Sequence, residues 1–294
     1  MNFTISGYST ALFSTWYFVE ELGLLLDAGD GAVSHLLQKS RKIKHIFLSH
    51  ADRDHITGLL QLNQLNARPG FPKIYYPKDS LSIAALGEFS KRFDRQVQAT
   101  AWIPIDEHSA IEIIKGIWVK PVQNHHVTTA GKLAKSFGYL VQQRKRKLKE
   151  EYLPLSQPEI IQLRNNLGEE NITFEVSENL LAYSGDTPVE NFDVWDHTPV
   201  LIHESTFLSS NVFTEGDPRN SKHSLLEDVL QAASQINIQL LVLGHFSSRY
   251  TTPEIDDCII KSCQEHAISF PVIRLLPGEC VHDIIHAKPV YLPL

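Results

Sequence analysis

The segment His50-Ala51-Asp52-Arg53-Asp54-His55 places four potential metal ligands within six residues. Imidazole nitrogen suits zinc, and carboxylate oxygen suits zinc and harder cations. Two ions held close together need ligands converging from such a tight turn and from histidines elsewhere in the chain. In isolation the segment also fits a solvated acidic turn. Four further polar clusters follow it: Asn124-His125-His126, Ser184-Gly185-Asp186-Thr187, His203-Glu204-Ser205-Thr206-Phe207 and Gly244-His245-Phe246. Each falls at or just past the end of a predicted strand, where polar side chains also bond the backbone. Taken jointly, they bring ligands and proton donors to a single rim.

The elements that must position them alternate between strand and helix. Short β-rich runs are predicted at residues 3–6, 16–19 and 22–26, and Val33, Leu36 and Leu37 then mark a helical stripe. A strand over 43–48 runs into Ser49-His50, and a helix starting near Asp54 shows Ile56, Leu59 and Leu60 on its apolar face. The ligand segment therefore sits between a strand end and a helix start, where α/β proteins build sites. Further strands are expected at 73–76, 101–105, 111–114, 117–122 and 139–142, then at 179–183, 200–203, 239–243 and 272–275. Ser224 with Glu227 has the spacing of a capping box ahead of Leu225, Val229, Leu230 and Ala233. Thr251 with Glu254 repeats it ahead of Ile255, Cys258, Ile259 and Cys263. Between residues 142 and 171 the composition shifts to Arg144-Lys145-Arg146-Lys147-Leu148-Lys149, two glutamates, two prolines and a short helix over 158–166. That stretch reads as an inserted arm.

Composition bounds what such a chain can be. Of 294 residues, 43% are hydrophobic and 21% charged, enough to bury one compact domain over residues 1–294. Twenty-seven basic against 34 acidic residues give a net charge of −7, which excludes coating a nucleic acid through global charge. Any polyanion must meet a local patch. No uninterrupted apolar stretch approaches the ~18 residues of a membrane span, and the opening residues do not read as a secretion signal. The expectation is a cytoplasmic protein with no membrane partner. Cys258, Cys263 and Cys280 lack the close doublets of a structural zinc site and read as core thiols.

From the first strands to about Tyr250, these residues resemble the metallo-β-lactamase superfamily and, within it, ribonuclease Z, the endonuclease that trims transfer-RNA precursors at the 3′ side. His50 to His55 is similar to the superfamily's first metal motif. Ser136-Phe137-Gly138-Tyr139 follows its third-histidine region, and Tyr183-Ser184-Gly185-Asp186-Thr187 carries its bridging aspartate. His203 to Phe207, Lys222-His223-Ser224 and Gly244 to Tyr250 are more particular to ribonuclease Z. The resemblance implies an α/β fold of the αββα sandwich type, two zinc ions per chain, a precursor transfer RNA as partner and a homodimer. It makes His50, Asp52 and His125 ligands of one zinc and Asp54, His55 and His245 ligands of the other, with Asp186 between them. His223, paired with Glu204, takes the place of the family's proton-donating couple, and Asp54 also orients or deprotonates the attacking water. Arg144, Lys145, Arg146 and Lys147 lie where the family has its substrate-binding arm, and Arg249 joins the substrate contacts.

The departures from that pattern are specific. Asp52 stands where the family has histidine, which makes the first site harder and brings manganese or iron into range. The stretch from His125 to Phe137 is longer than in the family, so His126 is a rival to His125. The N-terminal segment lacks the proline- and basic-rich loop that helps many ribonucleases Z hold the acceptor stem. The basic run also fits a solvated helix edge. Two other functions compete: a hydrolase of a small ester, lactone, thioester or cyclic phosphodiester, and a non-catalytic RNA-binding module. The Glu204 and His223 couple favours a phosphodiester, because an alkoxide leaving group needs a proton more than a thiolate does.

Overall fold

In the computed structural model, which describes residues 3–93, 95–127, 133–210 and 222–293, two seven-stranded sheets face each other. The first half of the chain supplies β1 (Ile5–Thr10), β2 (Ser14–Val19), β3 (Leu24–Leu26), β4 (His45–Phe47), β5 (Lys73–Pro77) and β6 (Ala101–Ile105). Helices α1 (Ala32–Leu36), α2 (Arg53–Ile56), α3 (Leu59–Asn66) and α4 (Leu81–Ser90) connect them. The second sheet holds β7 (Ile111–Ile114), β8 (Ile117–Gln123), β9 (Phe137–Leu148), β10 (Thr173–Tyr183), β11 (Thr198–Glu204), β12 (Ile238–Gly244) and β13 (Val272–Arg274). Its helices are α5 (Gln157–Leu167), α6 (Glu169–Ile172), α7 (Leu226–Ala233) and α8 (Thr252–Glu265), after which β14 (Cys280–Val281) returns to pair with β1.

The period of two along each strand builds the layers. In β2, Tyr17 and Val19 point into a core between the sheets, where they meet Phe47, Tyr139, Leu181, Tyr183 and Val242. Trp16 and Phe18 point the other way, onto Leu36, Leu59 and Leu62 of the helices. The second sheet repeats this, with Leu201, Leu241 and Leu243 turned toward Val229, Leu230, Ile255 and Ile259. Strands buried on both faces are apolar throughout, which is why 24–26 and 240–243 are unbroken hydrophobic runs. This is the αββα sandwich.

Strand direction then fixes where the site lies. β3 to β6 run parallel, as do β10 to β13, and β1 and β8 point the same way as their sheets' parallel strands. All their carboxyl ends open on one edge, the position where open α/β sheets bind ligands. The β1–β2 turn lies on that edge too.

Several expected elements take a different form. Ser224 caps no helix: α7 begins after Leu225, and the Ser224 hydroxyl donates to the Thr187 carbonyl instead (2.7 Å). Thr251 and Glu254 do form the reciprocal box ahead of α8. The single helix expected after Asp54 is two, α2 and α3, split at Gly58, where a Cβ would lie 2.2 Å from the Gly29 carbonyl. β9 extends twelve residues rather than the four expected, because its charged half is held by pairing with β10 and not by burial. The basic run is thus strand, not helix edge. It forms an antiparallel ribbon whose far end carries α5 and α6. Of the thiols, Cys263 is buried and Cys258 and Cys280 are half-buried, all free.

Candidate metal centre

Asp27, one residue past β3, begins the construction. It is fully buried and has a left-handed backbone (φ 56°) that a non-glycine residue adopts only at a cost. One carboxylate oxygen accepts the Ser49 backbone N–H (2.6 Å). The other accepts the Ser49 hydroxyl (2.7 Å), the His55 Nδ1–H (2.7 Å) and the Tyr183 hydroxyl. Because the Ser49 hydroxyl donates to Asp27, it accepts from His50 Nδ1 at 2.9 Å. His126 Nδ1 donates to the Lys222 carbonyl (2.9 Å), and His245 Nδ1 donates to the Thr206 hydroxyl (2.8 Å), which in turn donates to Glu204.

The consequence is common to all four rings. Each spends its Nδ1–H on a fixed acceptor, so Nε2 is turned toward the centre. A histidine oriented through its other nitrogen is the usual arrangement around a bound metal. Nε2 of His50 and of His55 are buried without any hydrogen-bond partner, the condition that a cation relieves.

The distances among the inward atoms fit that role. His55 Nε2 lies 3.3 Å from Asp186 Oδ2 and 3.6 Å from Asp54 Oδ2, and His245 Nε2 lies 3.2 and 3.4 Å from the same two oxygens. His50 Nε2 is 3.8 Å from Asp186 Oδ2 and 3.7 Å from Asp52 Oδ2, which His126 Nε2 approaches to 3.5 Å. Tetrahedral ligands bound at ~2.0–2.1 Å stand about 3.3 Å apart, so both sets are near the spacing that zinc requires. Asp186 Oδ2 belongs to both. Its loop turns at Gly185 (φ 61°), where any side chain would meet the Phe137 carbonyl.

His125 is not among these residues. Its side chain is 69% exposed and bonds Glu190 on the outside, Nδ1 to Oε2 at 2.6 Å, whereas His126 is buried and faces Asp52. The expectation that His125 is a ligand gives way to its neighbour: in the bend that follows β8 the His125 ring turns out to Glu190 and the His126 ring turns in to Asp52. His203 also stays outside, packed on Phe192 with Nδ1 donating to the Glu204 carbonyl.

Beside the ligand sets stands the pair of Glu204 and His223. Glu204 is buried and accepts the Thr187 backbone N–H (2.7 Å), the Thr206 hydroxyl and the His223 Nδ1–H (3.0 Å). Burial alone would push the His223 pKa down; the Glu204 carboxylate outweighs it and holds the ring charged, with a pKa raised to about 9. Burial would likewise raise Asp54, but its hydrogen bond to His245 prevails and lowers it to about 2. Desolvation by burial opposes the charge on Asp186 as well, and the surrounding imidazoles, His245 first, bring its pKa well below the usual value. A cleft of about 150 Å³ opens above these groups, lined by Asp52, Asp54, Asp186, His223, His245, Phe207 and Arg249. Arg249 lies over the Phe207 ring (5.5 Å) and is held by Ser247.

The basic run lies elsewhere. β9 leaves the rim at Phe137, whose N–H bonds the Ser49 carbonyl, and carries Arg144 to Lys147 roughly 25–35 Å away at ~3.4 Å per residue. The pleat sends Arg144 and Arg146 to one face and Lys145 and Lys147 to the other. Arg144 pairs with Glu175 (3.8 Å) and stacks over Trp118, Lys145 pairs with Glu178 (3.6 Å), and Arg146 donates to Thr173.

Comparison with known proteins bears on the family and the fold. The family described as Beta-lactamase superfamily domain matches residues 24–149. The chain is 29% identical to tRNase Z TRZ2, chloroplastic, of Arabidopsis thaliana, over 94% of this chain and 76% of that protein. It is 31% identical to tRNase Z TRZ1 of the same plant, over 73% of this chain and 76% of that protein. The chain belongs to the ribonuclease Z family. As a ribonuclease Z relative it is a metal-dependent hydrolase of the beta-lactamase superfamily. Among solved structures, the metallo-beta-lactamase fold protein YhfI from Bacillus subtilis superposes with a TM-score of 0.63 at 14% identity, covering 96% of this chain and all of that one. That likeness concerns the fold alone. Asp27 is the residue of this network that sequence reasoning missed, and Thr206 was singled out only as part of its cluster, without its place between His245 and Glu204. A lone aspartate behind an apolar strand gives little signal beyond its place at the edge where other strand ends carry ligands.

Proposed function

We propose that this ribonuclease Z relative is a dinuclear zinc phosphodiesterase that cuts the 3′ trailer from transfer-RNA precursors. The observation that carries the reading is the pair of ligand sets sharing Asp186, with a carboxylate-held imidazole beside them. His50, Asp52 and His126 would hold one ion and Asp54, His55 and His245 the other, with Asp186 touching both. When bound, two divalent cations supply Lewis acidity at the phosphoryl oxygen and a nucleophilic water at neutral pH. Asp54, ionised and fixed by the Leu12 N–H (3.0 Å), accepts the proton of the attacking water. His223, whose Nδ1–H is committed to Glu204, gives its Nε2 proton to the departing ribose 3′ oxygen. Arg249 lies within reach of the phosphate backbone, and the cations of the β9–β10 ribbon meet the body of the substrate at a distance. A homodimer completes the reading, on family grounds.

The test is turnover by the zinc-loaded protein of a precursor transfer RNA beside bis-p-nitrophenyl phosphate. Both are expected to be hydrolysed, the precursor at a single position. Hydrolysis of the small diester with no RNA cleavage would move the assignment to a small-molecule phosphodiesterase.

A further inference from the structure

The turn between β1 and β2, Ala11-Leu12-Phe13, presents two large apolar side chains on the rim. Leu12 is 87% exposed and Phe13 61%. Neither placement is left to chance. The Ala11 N–H bonds the Phe246 carbonyl (3.2 Å), the Phe13 N–H bonds Thr10 (3.1 Å), and the Leu12 N–H bonds the Asp54 carboxylate. Leu12 also takes a left-handed backbone (φ 70°), which is costly for a branched side chain and persists where the surroundings enforce it.

The position of this tip distinguishes it from other exposed apolar residues. Leu12 lines the cleft that contains His223 and Arg249, and it also lines a wider trough of about 570 Å³ floored by Ala51, Asp52, Arg53, Ile56 and Ser82. It is the ridge between them, directly beside Asp52 and Asp54, which line both depressions. If His223 protonates the leaving 3′ oxygen, the nucleotide that keeps that oxygen must occupy the His223 cleft. The nucleotide that keeps the phosphate then runs out over Arg53.

We propose that Leu12, with the exposed Phe13 ring next to it in the turn, forms an apolar wedge that separates the two nucleobases flanking the scissile phosphate and fixes which bond is cut. The inference rests on the RNA reading of the site. Unstacking a base step costs energy, and apolar side chains inserted between bases, or stacked on their faces, return it. A small diester has no bases to separate and draws nothing from the wedge.

Two substitutions test this. Leu12→Asn removes the apolar side chain but tolerates the left-handed backbone and keeps the N–H on Asp54. Phe13→Ser removes the stacking face. Each is expected to lower kcat/KM for precursor RNA, relative to that for bis-p-nitrophenyl phosphate, by roughly 5- to 100-fold, the range for loss of one base stack. Cleavage should also spread to neighbouring bonds. With precursors abasic on both sides of the scissile bond, the variants and the parent protein should differ by less than about 2-fold, since the wedge's partners are gone. Variants that keep the parent's ratio and cleavage position overturn the wedge, as does a loss that persists undiminished on the abasic precursors. A parent protein that hydrolyses the diester but no RNA defeats the RNA reading itself, and the wedge with it.

Discussion

Basic groups face carboxylates at both ends of the β9–β10 pair, and the two ends are built in opposite ways. At the rim, His50, His55, His126 and His245 each have one nitrogen fixed by an acceptor of the fold, buried in three of the four, so the ring is held in one orientation. On the ribbon, cations face exposed glutamates across the strands at 3.6–3.8 Å, with Glu175 and Glu178 each about half exposed. Such pairs contribute ~0–1 kcal/mol and orient little. Chemistry needs atoms held to a fraction of an ångström, whereas recognition of a long polyanion needs only charge within reach. Damage to the metal ligands should therefore stop the reaction on every substrate, and damage on the ribbon should be felt by RNA alone.

The largest effect expected is at the ligand sets. His126→Ala should empty the ion held with His50 and Asp52 and take hydrolysis of both precursor RNA and the small diester to background. His125→Ala, altering the exposed neighbour, should keep both metals and most of the activity. Elemental analysis of the two variants decides it, and equal metal content in both would remove His126 from the ligand set. Next comes His223→Ala, which should keep two metals yet slow cleavage by roughly 10²- to 10⁴-fold, the range for loss of a general acid. An unchanged rate would leave His223 a packing residue against His126 and His245.

Asp27→Asn sharpens the comparison because it leaves the ligands themselves intact. Asparagine accepts the same left-handed backbone and is nearly isosteric, but it removes the charge that orients His55 directly and His50 through Ser49. Zinc affinity or activity should fall roughly 10- to 100-fold, with both substrates affected alike. Titration with a competing chelator measures it; unaltered affinity would mean that packing alone holds the two rings.

How much of this was legible in the sequence follows from the same contrast. His50 to His55, Asp186 and His245 stand at strand ends where ligand types concentrate, so position and residue type point the same way. Whether His125 or His126 faces inward depends on one backbone direction past the end of β8, which composition does not encode. Asp27 was hidden because its role exists only through contacts with Ser49, His55 and Tyr183, up to 156 residues away. The strands of the core were legible from their apolar runs, but the charged half of β9 was not, since cross-strand pairing rather than burial keeps it extended. Read linearly, five cations in six residues look like one patch; pleating divides them between two faces.

That division sets the smallest effect. Between residues 142 and 179 the cations Arg144, Lys145, Arg146, Lys147, Lys149 and Arg164 are matched by seven glutamates, so the arm has no excess positive charge. Replacing Arg144, Lys145, Arg146 and Lys147 by glutamine should weaken precursor binding and flatten its salt dependence. Four free contacts would lower the slope by ~3, at ~0.7–0.9 per phosphate neutralised. With Arg144 and Lys145 already facing Glu175 and Glu178, the expected change is nearer ~1.5, carried by Arg146 and Lys147. Turnover of the small diester serves as the control for folding. The opposite substitution gives the opposite sign: Glu175→Gln with Glu178→Gln frees two cations and should tighten binding of precursor RNA and steepen its salt dependence. If neither change moves RNA affinity, the ribbon does not meet the substrate, and its charges serve only to keep two long strands in register.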